Sequence, residues 1–235
     1  MDNVQLGIPH LSYAMLNHDG ILHELIYPDM LKNYYWSDDF SAAYYIAKAK
    51  AGFIAVTDYY EEEELLLPEI QFSYALLYFD DLHISRKVKK LLRKKELHLE
   101  ISQNFDEVAK GISKLHKTNW LTPKYLEILK STEGVDENFK VISVLLRDKE
   151  ETVAGEIGYM IGKTYTSLSG FSHRQYRDYG TAQLVLLAQY LQKNNFSFWN
   201  LGQSYMPYKF MLGARLFERK EFLERWYEET KVLIH

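Results

Sequence analysis

The alternation of apolar and polar positions divides the chain into helices and strands in mixed order. Ser37, Asp38 and Asp39 supply a cap and an acidic first turn, and the spacing after them predicts a helix through Lys50 that Gly52 ends. Residues 70–79 form an apolar run of strand length. Ile84, Val88, Leu91 and Leu92 then recur at helical spacing, which buries one stripe and leaves the basic neighbours outside. Residues 97–101 alternate as a strand, Ser102 or Asn104 caps a helix to His116, and Thr122-Pro123 opens another, because proline at the first helical position loses no hydrogen bond. Runs at 139–146, 152–161 and 164–172, separated by polar turns, predict three antiparallel strands. A long striped helix at 179–193, stopped by Asn194-Asn195, a short buried strand at 196–201 and a helix at 219–229 complete the pattern. The expected class is α+β: a mixed, mostly antiparallel sheet with flanking helices, preceded by a smaller N-terminal α/β part. With neither repeats nor a low-complexity linker, the simplest division is 1–95, ending in the basic helix, and 96–235.

Composition narrows the chemistry. The chain has 235 residues, 47% hydrophobic and 26% charged, which fits a soluble globular protein. It has no cysteine, so it offers no disulfide, no thiolate nucleophile and no cysteine-ligated metal. The start lacks the charged and apolar regions of a secretory signal, and the apolar run 184–191 is far too short to cross a bilayer, so a cytoplasmic protein without a membrane partner is expected. The net charge of -4 taken alone argues against a nucleic-acid partner, but it averages an acidic run, Glu61 to Glu64, with residues 86–95, which hold seven basic residues and no acid; no DNA partner is expected.

The order of three strands, a loop into a helix and a further strand resembles the core of GNAT-type acyltransferases. Its loop, Arg177-Asp178-Tyr179-Gly180-Thr181-Ala182, resembles the R-x-x-G-x-G/A signature of that superfamily. There, backbone N–H groups at a helix N-terminus hold the pyrophosphate of acyl-CoA. On this reading Arg177, Gly180, Thr181 and Ala182 form an acyl-CoA loop; an ordinary helix start with Asp178 as cap is the alternative.

A longer resemblance covers most of the chain. Residues 82–112, with the Leu82-His83-Ile84-Ser85-Arg86 start, the basic helix, the strand and the Phe105-Asp106-Glu107-Val108 helix, resemble bacterial leucyl/phenylalanyl-tRNA-protein transferases. So do the stretch FSAAYYIAKAKAGFIAV, the Asn119-Trp120-Leu121-Thr122 element, and Leu212-Gly213-Ala214 with Arg219 and Phe222-Leu223. The resemblance implies a GNAT-like fold. It implies aminoacyl-tRNA as donor and transfer of Leu or Phe to the N-terminal Lys or Arg of a protein, which marks that protein for degradation by the N-end rule. It also implies that Arg86, Lys87, Lys89, Lys90, Arg93, Lys94 and Lys95 contact tRNA phosphates, and that Gln203 is the active-site glutamine.

The departures fall where chemistry is expected. The family's pocket glutamate is Leu168 here, and the aspartate of its D-x-Q motif is Leu201. Aminolysis of an ester needs a group that orients the amine, accepts its proton and stabilises the oxyanion. Gln203 can orient but is no base, so Glu156 is the candidate carboxylate, with a raised pKa if buried; a strand residue facing solvent or pairing with Lys163 is the alternative. The substrate pocket is expected from Trp120, Tyr159, Leu168, Phe171 and Trp199, with Leu184 beside them. Tyr205 and Tyr208 stand near where GNAT enzymes keep a tyrosine acid. His83, His98, His116 and His173 lack ligand spacing, so no metal and no cofactor is expected. Three readings remain: an aminoacyl-tRNA-protein transferase, an acyl-CoA-dependent N-acyltransferase, and a tRNA- or peptide-binding relative without catalysis.

Overall fold

A computed structural model describes residues 7–115, 120–173, 175 and 178–233. The N-terminal segment contains α1 (Tyr13–Leu16), a π-helical turn (Ile21–Ile26) and α2 (Ala42–Lys50). The expected cap at Ser37 is displaced to Ser41, whose Oγ accepts from the Tyr44 N–H at 3.2 Å. Ser37 is unavailable because its N–H and C=O are both paired with Leu66 in an isolated bridge, so the helix can start only later.

A hairpin that the alternation did not reveal follows, formed by β1 (Ile54–Tyr60) and β2 (Glu63–Glu69). The acidic run supplies its turn, Glu61 and Glu62, with Glu61 in the left-handed region at φ 56°, and starts β2 with Glu63 and Glu64. Further along come β3 (Ser73–Leu77), the basic α3 (Arg86–Lys94), β4 (Leu97–Ser102), α4 (Asp106–Leu115) and α5 (Pro123–Ser131). Thr122 caps α5 at 3.1 Å, and the Asn104 side chain accepts from Asp106 at 3.1 Å at the start of α4.

The remaining elements are β5 (Phe139–Asp148), β6 (Glu151–Ile161), β7 (Thr164–Ser172), α6 (Tyr179–Lys193), β8 (Phe198–Gln203), α7 (Pro207–Met211), β9 (Arg215–Glu218) and α8 (Arg219–Thr230). Seven strands join in the order β4-β5-β6-β7-β8-β3-β9. All neighbours are antiparallel except β7 and β8, which the α6 crossover makes parallel. The fold is therefore of the expected α+β class, a mixed, mostly antiparallel sheet with flanking helices. β3, from the first 95 residues, lies inside it between β8 and β9.

Strand periodicity divides the apolar residues between two cores. β5 sends Phe139, Val141 and Leu145 into one, with Tyr45, Tyr125 and Trp226, and Ile142, Val144 and Leu146 into the other, with Val88, Val185 and Leu191. Gly213 fixes a close crossing next to the second core. Its φ is +110°, and a Cβ there would lie 2.0 Å from the Asp81 carbonyl oxygen. His83 N–H meets the Leu212 oxygen at 2.8 Å, so the two motifs around His83 and Leu212 are held against each other.

Candidate active site

β7 and β8 pair only from Thr164↔Phe198 to Thr166↔Asn200. Beyond that point β7 continues on β6 and β8 continues on β3, so the parallel pair opens into a wedge. A cleft of about 810 Å³ occupies it, lined from β7 by Ser167 to Ser172, from β8 by Leu201, Gly202 and Gln203, and from the hairpin by Ile54, Val56, Leu67 and Glu69. The wedge is a consequence of strand pairing, and it brings together segments remote in sequence.

Gln203 ends β8 on this wall. Gly202 before it has φ +73°, a conformation that a side chain disfavours. The Gln203 Oε1 accepts from the Tyr205 hydroxyl, and its main-chain oxygen accepts from Lys209 Nζ at 2.7 Å. Lys209 also donates to the Leu201 oxygen.

Glu156 is buried, not solvent-facing. Its Oε1 accepts from the Tyr165 and Ser167 hydroxyls, each at 2.8 Å, and its Oε2 accepts from Gln183 Nε2 at 2.9 Å. Burial pushes its pKa up, and the three hydrogen bonds oppose that rise without cancelling it.

The other expected residues separate by position. Trp120, Leu168, Phe171, Leu184, Tyr205 and Tyr208 line the cleft. Leu168 is half-buried on the wall, so it narrows the cleft without filling it. Tyr159 and Trp199 stand behind the wall because strand alternation turns them inward. Tyr159 stacks on Phe139 at 5.4 Å, and Trp199 Nε1 donates to Ser167 Oγ at 2.8 Å, reaching Glu156 only through that serine.

In the glycine-bearing loop, Gly180 lines the cleft, Thr181 is exposed and Ala182 is buried, while Arg177 lies outside the described residues, as do Asn119 and His116. Asp178 adopts φ 68° and makes no side-chain cap bond. On α3, Arg86, Lys87, Lys89, Lys90, Arg93 and Lys94 are exposed. Lys95 is the C-cap residue, paired with Asp148 at 2.9 Å.

Three cleft residues were missed in the sequence. Glu69 ends β2, where it accepts from Asn33 Nδ2 at 2.9 Å, with Tyr34 and Gln203 lining the same cleft. Gln71 lines the cleft beside it, and Lys209 holds β8. No motif marks them, because the hairpin and a bridge from Tyr34 to Glu69 carry this carboxylate to the site. The available signal was Pro68, which closes the apolar run 65–67 just before an isolated acid. Arg219 supports the segment from below: it is 1% exposed and donates to the main-chain oxygens of Ile70, Gln71 and Asp29 at 2.8, 3.0 and 2.6 Å.

The open wedge between the parallel strands brings an amide and two carboxyl groups to one cleft. Residues 76–227 match the leucyl/phenylalanyl-tRNA protein transferase family, and the chain belongs to it. A leucyl/phenylalanyl-tRNA–protein transferase of Flavobacterium johnsoniae is 28% identical over 156 residues, 63% of this chain and 69% of the relative. One from Rubrobacter xylanophilus is 27% identical over 159 residues, 67% and 80% of the two chains. One from Pectobacterium carotovorum is 30% identical over 99 residues, which span 42% of this chain and 41% of the relative. Among solved structures, FemX is similar with 12% identity and a TM-score of 0.46, over 62% of this chain and 59% of that one. L-PGS from Bacillus licheniformis has 12% identity and a TM-score of 0.43, over 69% and 65%.

Proposed function

We propose that this cleft moves an aminoacyl group, Leu or Phe, from charged tRNA to the N-terminal amine of a protein or peptide. The observation that carries the reading is the meeting of Gln203 and buried Glu156 in one open cleft of a chain in this family. The donor ester is already activated, so the reaction is aminolysis and needs no cofactor. The acceptor amine attacks the ester carbonyl, the new C–N bond forms, the C–O bond to the tRNA ribose breaks, and the released hydroxyl takes the proton lost by the amine. Gln203 carries an amide N–H to orient or polarise the reacting groups. Glu156 is the carboxyl group with a raised pKa behind it. The chain supplies no thiol, which favours direct attack over a thioester intermediate.

Ile54, Val56, Leu168 and Leu184 give the cleft an apolar wall suited to a Leu or Phe side chain. The six exposed bases of α3 suit sequence-independent phosphate contacts along a tRNA stem. An acceptor beginning with Lys or Arg and a cytoplasmic role in N-end rule degradation complete the reading; no helix among the described residues is long and apolar enough to cross a membrane. Incubation with labelled Leu-tRNA or Phe-tRNA and an Arg-starting peptide tests it. Label moves to the peptide if the reading holds, and absence of transfer from both donors contradicts it.

A further inference from the structure

Glu69 and Glu156 are the acids on the cleft wall, and they differ in availability. Glu156 is 4% exposed, with both oxygens occupied by three donors from its own fold. Glu69 is half-buried at the end of β2, held by Asn33, and lines the cleft together with the candidate catalytic amide of Gln203. A carboxylate has about four lone-pair positions, so the side-chain donor from Asn33 leaves room for a ligand's donors.

Gln71, two residues on, is 4% exposed and lines the same cleft, yet neither its Nε2 nor its Oε1 has a hydrogen-bond partner among the described residues. A buried primary amide left unpaired costs free energy, and an amide in a cleft is paired when a ligand supplies the missing groups. Its backbone is not free to turn away. The Gln71 N–H is held by the Tyr74 hydroxyl at 2.9 Å and its carbonyl by Arg219 at 3.0 Å.

We propose that Glu69 and Gln71 form a binding site for the N-terminal amine of a peptide, the carboxylate receiving the amine and the free amide pairing with the first peptide group. A primary amine suits Glu69 because it offers N–H donors and, when protonated, a positive charge. The Gln71 amide offers one acceptor and two donors, which match the C=O and N–H of a main chain. A phosphate-bearing ligand is disfavoured at this end by the carboxylate. The site rests on the aminoacyl-transfer reading for naming that amine as the acceptor, while binding of the amine is measurable without turnover.

The test is calorimetric binding of an Arg-starting peptide with a free N-terminus against the same peptide N-acetylated. The wild-type protein binds the free form about tenfold more tightly, the scale of one charge-assisted hydrogen bond. Glu69→Gln, nearly the same in shape, removes the preference, and Glu69→Asp keeps it. Gln71→Leu weakens both peptides alike. Equal binding of the two peptides by wild-type protein overturns the site, and it does so without any variant that might misfold. Retention of the preference in folded Glu69→Gln overturns it too. A wild-type protein that prefers the free amine but transfers nothing from tRNA supports this site while removing the transferase reading. One that transfers yet binds both peptides equally does the reverse.

Discussion

Lys209 Nζ donates to the main-chain oxygen of Gln203 at 2.7 Å and to that of Leu201 as well. The lysine is 3% exposed, and burial pushes its pKa down to about 8. Both carbonyls lie beyond the last β7–β8 pair, at Thr166↔Asn200. The lysine thus supplies, where the strands separate, the donors that a neighbouring strand would have given.

Replacing this lysine should therefore disturb the position of Gln203 more than the fold. Lys209→Met leaves two carbonyls without donors, at a cost of roughly 1–3 kcal/mol. The expected result is a fall in kcat of about tenfold, with secondary structure retained. Transfer kinetics and circular dichroism check it, and unchanged kcat would remove Lys209 from the account.

Lys48 makes a pH-dependent prediction. It is fully buried, with Nζ 3.9 Å over the Tyr45 ring and no hydrogen-bond partner among the described residues, and burial pushes its pKa down to about 7 from 10.5. Between those values the unfolded chain holds a proton that the folded protein has lost, so stability rises with pH across the window. Lys209 adds to the same slope from about 8 upward. Lys48→Met should raise stability at neutral pH by about 2 kcal/mol, because a buried cation without a partner is replaced by an apolar chain of similar length. It should also flatten the rise above pH 7. Denaturant titrations across pH measure both, and an unaltered slope would contradict the assignment.

The basic face of α3 is tested by reversing its charge. Lys89→Glu, Lys90→Glu, Arg93→Glu and Lys94→Glu together should weaken tRNA binding by at least about a hundredfold at low salt and reduce its salt dependence. The melting temperature should change little, since all four side chains are exposed. Binding at two salt concentrations reads this, and an unchanged affinity would remove α3 from tRNA recognition.

Gly213→Ala tests the contact between the motifs around His83 and Leu212. The added Cβ meets the Asp81 oxygen, and φ +110° strains any side chain. A loss of about 2–4 kcal/mol is expected from thermal or denaturant unfolding. A loss too small to measure would show that the crossing relaxes freely.

Long-range pairing accounts for what the sequence concealed. β5, β6, β7 and α6 were legible because each carries its own period and is bounded by a local turn or stop signal. The β1–β2 hairpin was not, because its turn is made of glutamates and no glycine or asparagine marks it. Ser37 shows the same limit: its cap chemistry is sound, but a bridge to Leu66 claims its backbone. Gln203 and Glu156, singled out through resemblance and residue chemistry, both line the cleft. Tyr159 and Trp199 were placed one layer too far forward, because apolar strand residues read alike from either face. Glu69 and Gln71 come from a segment without a motif and reach the cleft only through the hairpin and the buried Arg219 beneath it.

The most direct test of the transferase reading is single-turnover transfer from saturating Phe-tRNA to an Arg-starting peptide, comparing wild-type protein with Gln203→Ala. Transfer by the wild-type protein is predicted, with the variant slower by about a hundredfold at unchanged tRNA affinity, the pattern of a group acting in the transition state. Equal rates in the two proteins, or no transfer by either, would contradict it.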